Sequence, residues 1–122
     1  MIEFFYHDGI KKEIVVLERR FHTIKKAFSS FERLCEVQFN PLNPKQVISP
    51  AKIHRINKND IWTLWKVELV VPDCGLRPNQ YPRMLFVVKG AVVIFLCIST
   101  HVDNYDDKKI TDLALLRVTD CV

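Results

Sequence analysis

Among the four cysteines of this 122-residue chain, at 35, 74, 97 and 121, no pair has the CxxC spacing of a metal or redox site. No histidine lies at a metal-ligand interval from any of them either. Nothing in the pattern calls for a metal or another cofactor, and this cysteine usage fits a reducing compartment. Long apolar runs are scarce. The longest, from Ala91 to Ile98, falls far short of the roughly 18 residues a membrane-crossing helix needs. The start, MIEFFYHDG, lacks the basic-then-apolar pattern of a secretory leader. Internal repeats and low-complexity segments are absent. These absences predict a soluble cytoplasmic protein without a membrane partner. Charge is only slightly one-sided: 18 Lys and Arg face 14 Asp and Glu, a net +4, which permits an anionic partner without demanding one.

What is present is a globular composition, with 48% hydrophobic and 26% charged residues. The length suits one domain, 1–122. Ile2 to Tyr6 is aromatic and β-branched and predicts a strand. Asp8 is the expected cap of a helix over Ile10 to Arg20, whose Ile10, Ile14 and Leu17 line one face. Thr23 is the expected cap of a second helix. There Ile24, Ala27, Phe28, Phe31, Leu34 and Cys35 recur at three- and four-residue steps, a stripe that predicts core packing. Asn40-Pro41 ends it. Pro41 to Asp60 reads as a surface loop with a short strand near Ile53, and it carries Lys45, Lys52, His54, Arg55 and Lys58. Strands follow over Ile61 to Val71, Tyr81 to Val88 and Ala91 to Thr100. A turn at Pro72 to Gly75 separates the first two and a Lys89-Gly90 hairpin the last two. Asp106-Asp107 favours a helix start, and Ile110, Leu113, Ala114 and Arg117 continue it.

The expected fold is α+β, in the order β-α-α-β-β-β-α. An antiparallel sheet of about four strands carries the helix hairpin on one face, and a helix closes the chain. Strand alternation sorts the side chains. Lys66 and Glu68 share a side in one strand, Tyr81, Arg83, Leu85 and Val87 in the next, and Phe95, Cys97, Ser99 and His101 in the last. If the polar sides are in register, Lys66, Glu68, Tyr81, Arg83, Ser99 and His101 converge at one end of the sheet. A one-residue slip inverts that arrangement.

Such a cluster suits RNA cleavage without metal. A base takes the proton of a ribose 2′-hydroxyl, the oxygen attacks the adjacent phosphate, and an acid protonates the leaving oxygen. Arg83 offers a planar fork for phosphate oxygens, and Lys66 a point charge. His101 titrates near neutrality, and Glu68 is a second base. Tyr81 and Tyr105 can stack on bases or bind phosphate. Lys52, Arg55 and Lys58 on the loop can face the same substrate. The plainer alternatives are an Arg83–Glu68 ion pair across the sheet and a structural histidine at a strand end.

The element order, IWTLWKVEL followed by YPRMLFVV, the Lys89-Gly90 hairpin, the apolar strand into Ser99-Thr100-His101, and YDDKKITDLALLRVTD together resemble the RelE/ParE toxin superfamily, in particular RelE/HigB-like toxins of type II toxin–antitoxin systems. The resemblance spans nearly the whole chain. It implies the compact α+β fold and a toxin role. The RelE-like activity is ribosome-dependent mRNA cleavage, with Arg83 as the family's central-strand arginine, Lys66 where many members carry arginine, and His101 near the end of the last strand. The ParE-like alternative is DNA gyrase inhibition, and a non-catalytic binder on the same fold is a third reading. Each toxin reading implies a small cognate antitoxin as partner. One departure stands out: Asp103, Asp106 and Asp107 lie where many RelE-like members carry lysines.

Overall fold

The computed structural model describes residues 1–100 and 106–121. Among them, five strands and three helices run β1 (Glu3–Tyr6), α1 (Asp8–Glu18), α2 (Ile24–Gln38), β2 (Ile53–Lys58), β3 (Thr63–Glu68), β4 (Arg83–Lys89), β5 (Val92–Ser99) and α3 (Asp107–Cys121). The fold is α+β. One sheet joins all the strands in the order β1-β5-β4-β3-β2. Its pairings are antiparallel except β1 with β5, which are parallel.

The strand count exceeds the expected four because β2 is a full six-residue edge strand rather than loop. Its residues IHRINK are mostly polar and exposed, and the two isoleucines go to opposite cores, Ile53 beneath the helix hairpin and Ile56 against the α3 side. Pairing with β3, broken by an irregularity between Arg55 and Asn57, makes it a strand. The cap of α1 also differs from expectation. His7, not Asp8, precedes the helix and accepts the Gly9 amide on Nδ1 at 2.9 Å. Thr23 does stand at the start of α2, but its hydroxyl donates to the Pro72 carbonyl instead of capping.

The two sheet faces bury different partners. The stripe of α2 (Ile24, Ala27, Phe28, Phe31, Cys35) and that of α1 (Ile10, Ile14, Leu17) pack on Val67, Met84, Phe86, Val93 and Phe95. Phe95 sits at the middle, with its ring 4.8 Å from Tyr6 and 5.6 Å from Phe28. Each such side chain stabilises the fold by about 1.5–3 kcal/mol. The opposite face, Leu64, Leu85, Val87, Ile94, Leu96 and Cys97, is covered by Ile110, Ala114 and Val118 of α3. Cys35 and Cys97 are fully buried, as the sequence predicts. Burial pushes the Cys97 thiol up to about 12, and that of Cys35 further.

A bulge in β5 divides that strand between the faces. Arg83, Met84 and Leu85 pair with Ser99, Ile98 and Cys97, but Phe86 pairs with Phe95, leaving Leu96 as the extra residue. Phe95 therefore lies on the helix-hairpin face and Cys97 and Ser99 on the α3 face, whereas simple alternation puts all three together. The sheet's far end is trimmed as well. β3 stops at Glu68 and β4 starts at Arg83. The stretch between them ends in a short 3₁₀ turn, Pro78–Gln80, and Gly90 closes the β4–β5 hairpin at φ 58°.

At its C-terminal half α3 is fastened to α1. Arg117 donates from Nη1 and Nη2 to the two carboxylate oxygens of Glu13, at 3.0 and 2.8 Å, and from Nη1 to the Leu96 carbonyl at 2.7 Å. Glu13 also accepts the Ile98 amide at 3.1 Å. The bulge at Leu96 is thus held from both sides. Burial alone lowers the Arg117 pKa, but the hydrogen bonds and charge of Glu13 outweigh it and raise it above the usual arginine value. Among the described residues, no helix is long and apolar enough to cross a membrane.

Candidate functional site

Beyond the N-terminus of α3, the α3 face of the sheet turns polar. The register builds two rows there. His54 of β2 is opposite Lys66 of β3, which is opposite Leu85 of β4. One step along, Glu68 is opposite Arg83, which is opposite Ser99. Lys52, just before β2, accepts the Glu68 amide on its carbonyl at 3.0 Å and so extends the second row. Lys52, His54, Lys66, Glu68, Arg83 and Asp107 line a pocket of about 310 Å³.

Alternation explains why charge collects here. On β3 the same face runs Leu64, Lys66, Glu68, from buried to polar, past the first turn of α3. Arg83 opens β4, and its face continues into buried Leu85 and Val87. The charges are held by one another. Lys66 Nζ donates to Asp107 Oδ1 at 2.6 Å, from sheet to first helical turn. Arg83 Nη2 lies 3.5 Å from Glu68 Oε1, the cross-sheet pair that the strand reading allows. Arg83 also donates to the Tyr81 carbonyl. Lys52 Nζ stands 5.9 Å from the centre of the Tyr81 ring, a cation–π approach. The side chains of Lys66, Arg83 and Glu68 are 18%, 15% and 25% exposed, so these charges sit in a recess where water screens them less than at the surface.

Of the residues singled out from sequence, Lys52, Lys66, Glu68 and Arg83 come together in this pocket, and Tyr81 stands at its rim through Lys52 and Arg83. Arg55 and Lys58 do not join them. Each pairs with a β3 residue of the opposite parity, Trp65 and Thr63, which places both on the helix-hairpin side of the edge strand. Their expected partnership with Lys52 fails because a strand, unlike a loop, sends successive side chains to opposite faces. His101 and Tyr105 lie outside the described residues. Two pocket residues were missing from the predicted site. In the sequence His54 is one basic loop residue among several, and only its pairing with Lys66 gives it a position. Asp107 was read as a helix-start signal, and nothing in the sequence shows that it reaches Lys66. Among the described residues, no three His, Cys, Asp or Glu side chains gather as metal ligands do.

Chemically, the pocket presents three cations, Lys52, Lys66 and Arg83, with two carboxylates, Glu68 and Asp107, and one imidazole. That combination suits an anion bearing a transferable proton, of which a phosphodiester with a neighbouring hydroxyl is the plainest case. Comparison with protein-family models, curated proteins and solved structures finds no match to this chain.

Proposed function

We propose that this chain is a RelE-type toxin, an endoribonuclease that cleaves mRNA on translating ribosomes in the cytoplasm without a metal ion and is restrained by a cognate antitoxin. The observation that carries the reading is the gathering of Lys52, His54, Lys66, Glu68 and Arg83 in one recess at the open end of an α+β sheet. In this reading the scissile phosphate lies between Arg83 and Lys66, which take up the charge that builds on phosphorus as attack proceeds. Glu68 accepts the proton of the ribose 2′-hydroxyl. The 2′-oxygen then bonds to phosphorus, and the bond to the leaving 5′-oxygen breaks. His54, across the sheet from Lys66, delivers a proton to that oxygen. The products are a 2′,3′-cyclic phosphate and a free 5′-hydroxyl. An antitoxin segment laid over this end of the sheet occupies the same cations.

The test is expression of the wild-type chain and of Arg83→Ala and His54→Ala variants in growing cells, with transcripts mapped by primer extension and their 3′ ends examined for cyclic phosphate. Growth arrest with cleaved, cyclic-phosphate-ended transcripts for the wild type alone is the expected result. Arrest by all chains without cleavage points instead to gyrase or another bound target. No arrest by any of them overturns the toxin reading.

A further inference from the structure

The polar pocket has an apolar neighbour. On the other side of the same corner, where β2 begins and β3 ends, Ala27, Ser30, Phe31 and Leu34 of α2 face Val47, Ile48 and Ser49 across a cleft of about 300 Å³. Lys52, Val67 and Glu68 line both cavities, so the two adjoin at the corner where β2 begins. The cleft is preformed. Gln38 Oε1 accepts the amides of Val47 and Ile48 at 2.8 and 3.0 Å, and the Lys45 amide donates to the Val37 carbonyl at 3.1 Å. These bonds clamp the 41–52 loop against the end of α2, with Ile48 buried beneath it. Leu34 and Val47 are nonetheless 40% and 42% exposed, apolar side chains left in contact with water at the mouth. The hydroxyls of Ser30 and Ser49 supply hydrogen-bonding groups among them.

We propose that this cleft is a nucleobase subsite. The site then takes a nucleotide as a unit, with its phosphate on Lys66 and Arg83, its sugar passing Lys52 and Glu68, and its base between α2 and the 47–49 segment. The inference rests on the phosphate reading of the polar pocket and extends it. Charge complementarity assigns the ends of the ligand, since Lys66 and Arg83 line the polar pocket alone, Lys52 and Glu68 are shared, and the rest of the cleft is mainly apolar. A flat heterocycle suits the second cavity, because it buries apolar area while its edge hydrogen-bonds two hydroxyls. A simple phosphate leaves the cleft empty.

The experiment is calorimetric titration of the full chain with ribose 5-phosphate, uridine 3′-monophosphate and adenosine 3′-monophosphate. It is repeated on Ser30→Phe and Ser49→Phe, which fill the cleft from its two walls, and on Arg83→Ala. Ser30 and Ser49 are exposed, and amide spectra confirm that each variant is folded. The expected result is that at least one nucleotide binds about tenfold or more tightly than ribose 5-phosphate. Ser30→Phe or Ser49→Phe then abolishes that advantage and leaves ribose 5-phosphate binding unchanged. Equal affinities for nucleotides and sugar phosphate overturn the subsite while sparing the phosphate pocket. So does a nucleotide advantage that survives both fillings. Failure of all three ligands to bind, or binding that Arg83→Ala does not weaken, overturns the phosphate reading and the subsite with it.

Discussion

Two arginine–glutamate pairs face the two ends of α3, and they are built differently. At the C-terminal half, Arg117 and Glu13 meet fork to fork at 3.0 and 2.8 Å, with the Leu96 carbonyl and the Ile98 amide completing the set. At the N-terminal end, Arg83 and Glu68 meet at 3.5 Å in a pocket of about 310 Å³. The first pair is closed. Its guanidinium lies so near Gly9 that a Cβ there would stand 2.4 Å from Arg117 Cζ. The second opens onto a cavity large enough for a ligand. An ion pair alone therefore says little about function. Geometry and room beside it separate a clasp from a site, because tight bidentate geometry with buried backbone partners leaves no position for a third group.

The largest expected effect is on the open pair. Under the proposed function, Arg83→Ala is expected to lower the rate of mRNA cleavage by roughly 10²–10³-fold, the range for losing one charge-stabilising donor. It costs less stability than Arg117→Ala does, because the Glu68 contact is a single 3.5 Å approach and not a bidentate pair. Cleavage kinetics beside urea unfolding check both halves, and a large stability loss would erase the distinction drawn here. The closed pair inverts the pattern. Arg117→Ala costs about 3 kcal/mol of stability by leaving Glu13 without its partner, while activity per folded molecule stays near wild type. Urea unfolding and active-site titration read the two quantities.

Gly9→Ala comes next, at about 1–3 kcal/mol. The added methyl meets a guanidinium that Glu13 and Leu96 prevent from moving aside. In an Arg117→Ala background the same substitution costs much less, and a double-mutant cycle measures that coupling. An additive result would mean that the guanidinium yields easily and that the clasp is looser than its distances imply. The smallest effect sharpens the open end. Asp107→Asn frees Lys66 from its 2.6 Å partner and tightens phosphate binding about two- to fivefold, with stability changed by less than about 1 kcal/mol. Titration with inorganic phosphate at low and high salt checks it, and weaker binding would show that Asp107 positions Lys66 for the ligand instead of competing with it.

Much of this was legible from local pattern. The stripe from Ile24 to Cys35 announced α2, because a 3.6-residue period is visible in any helix that buries one face. Lys66 and Glu68 could be placed on one side of their strand because alternation is strict within an unbroken strand, but only the register brings Arg83 beside them. β2 looks mainly like loop in the sequence, since an edge strand exposes much of both faces and IHRINK carries little apolar alternation. The same polar character gives no sign that His54 stands opposite Lys66, or that Arg55 and Lys58 lie on the other face of the edge strand. Phe95 was assigned to the wrong face because a bulge leaves no mark in an apolar run such as AVVIFLCIS.

By itself the sequence determined the elements and the chemistry they carry: three amphipathic or capped helices, the central strands and their alternating faces, and a set of cations with one acid. These follow from interactions between residues a few positions apart, where periodicity, turn geometry and proline act. Only the tertiary structure decided the rest. It set the register that aligns His54 with Lys66 and Glu68 with Arg83. It swung α3 so that Asp107 reaches Lys66 at one end and Arg117 reaches Glu13 at the other, and it brought the 47–49 loop against α2 to make a cleft. Those contacts join residues 9 to 104 positions apart, and their partners are selected by packing of the whole core, which no local pattern encodes.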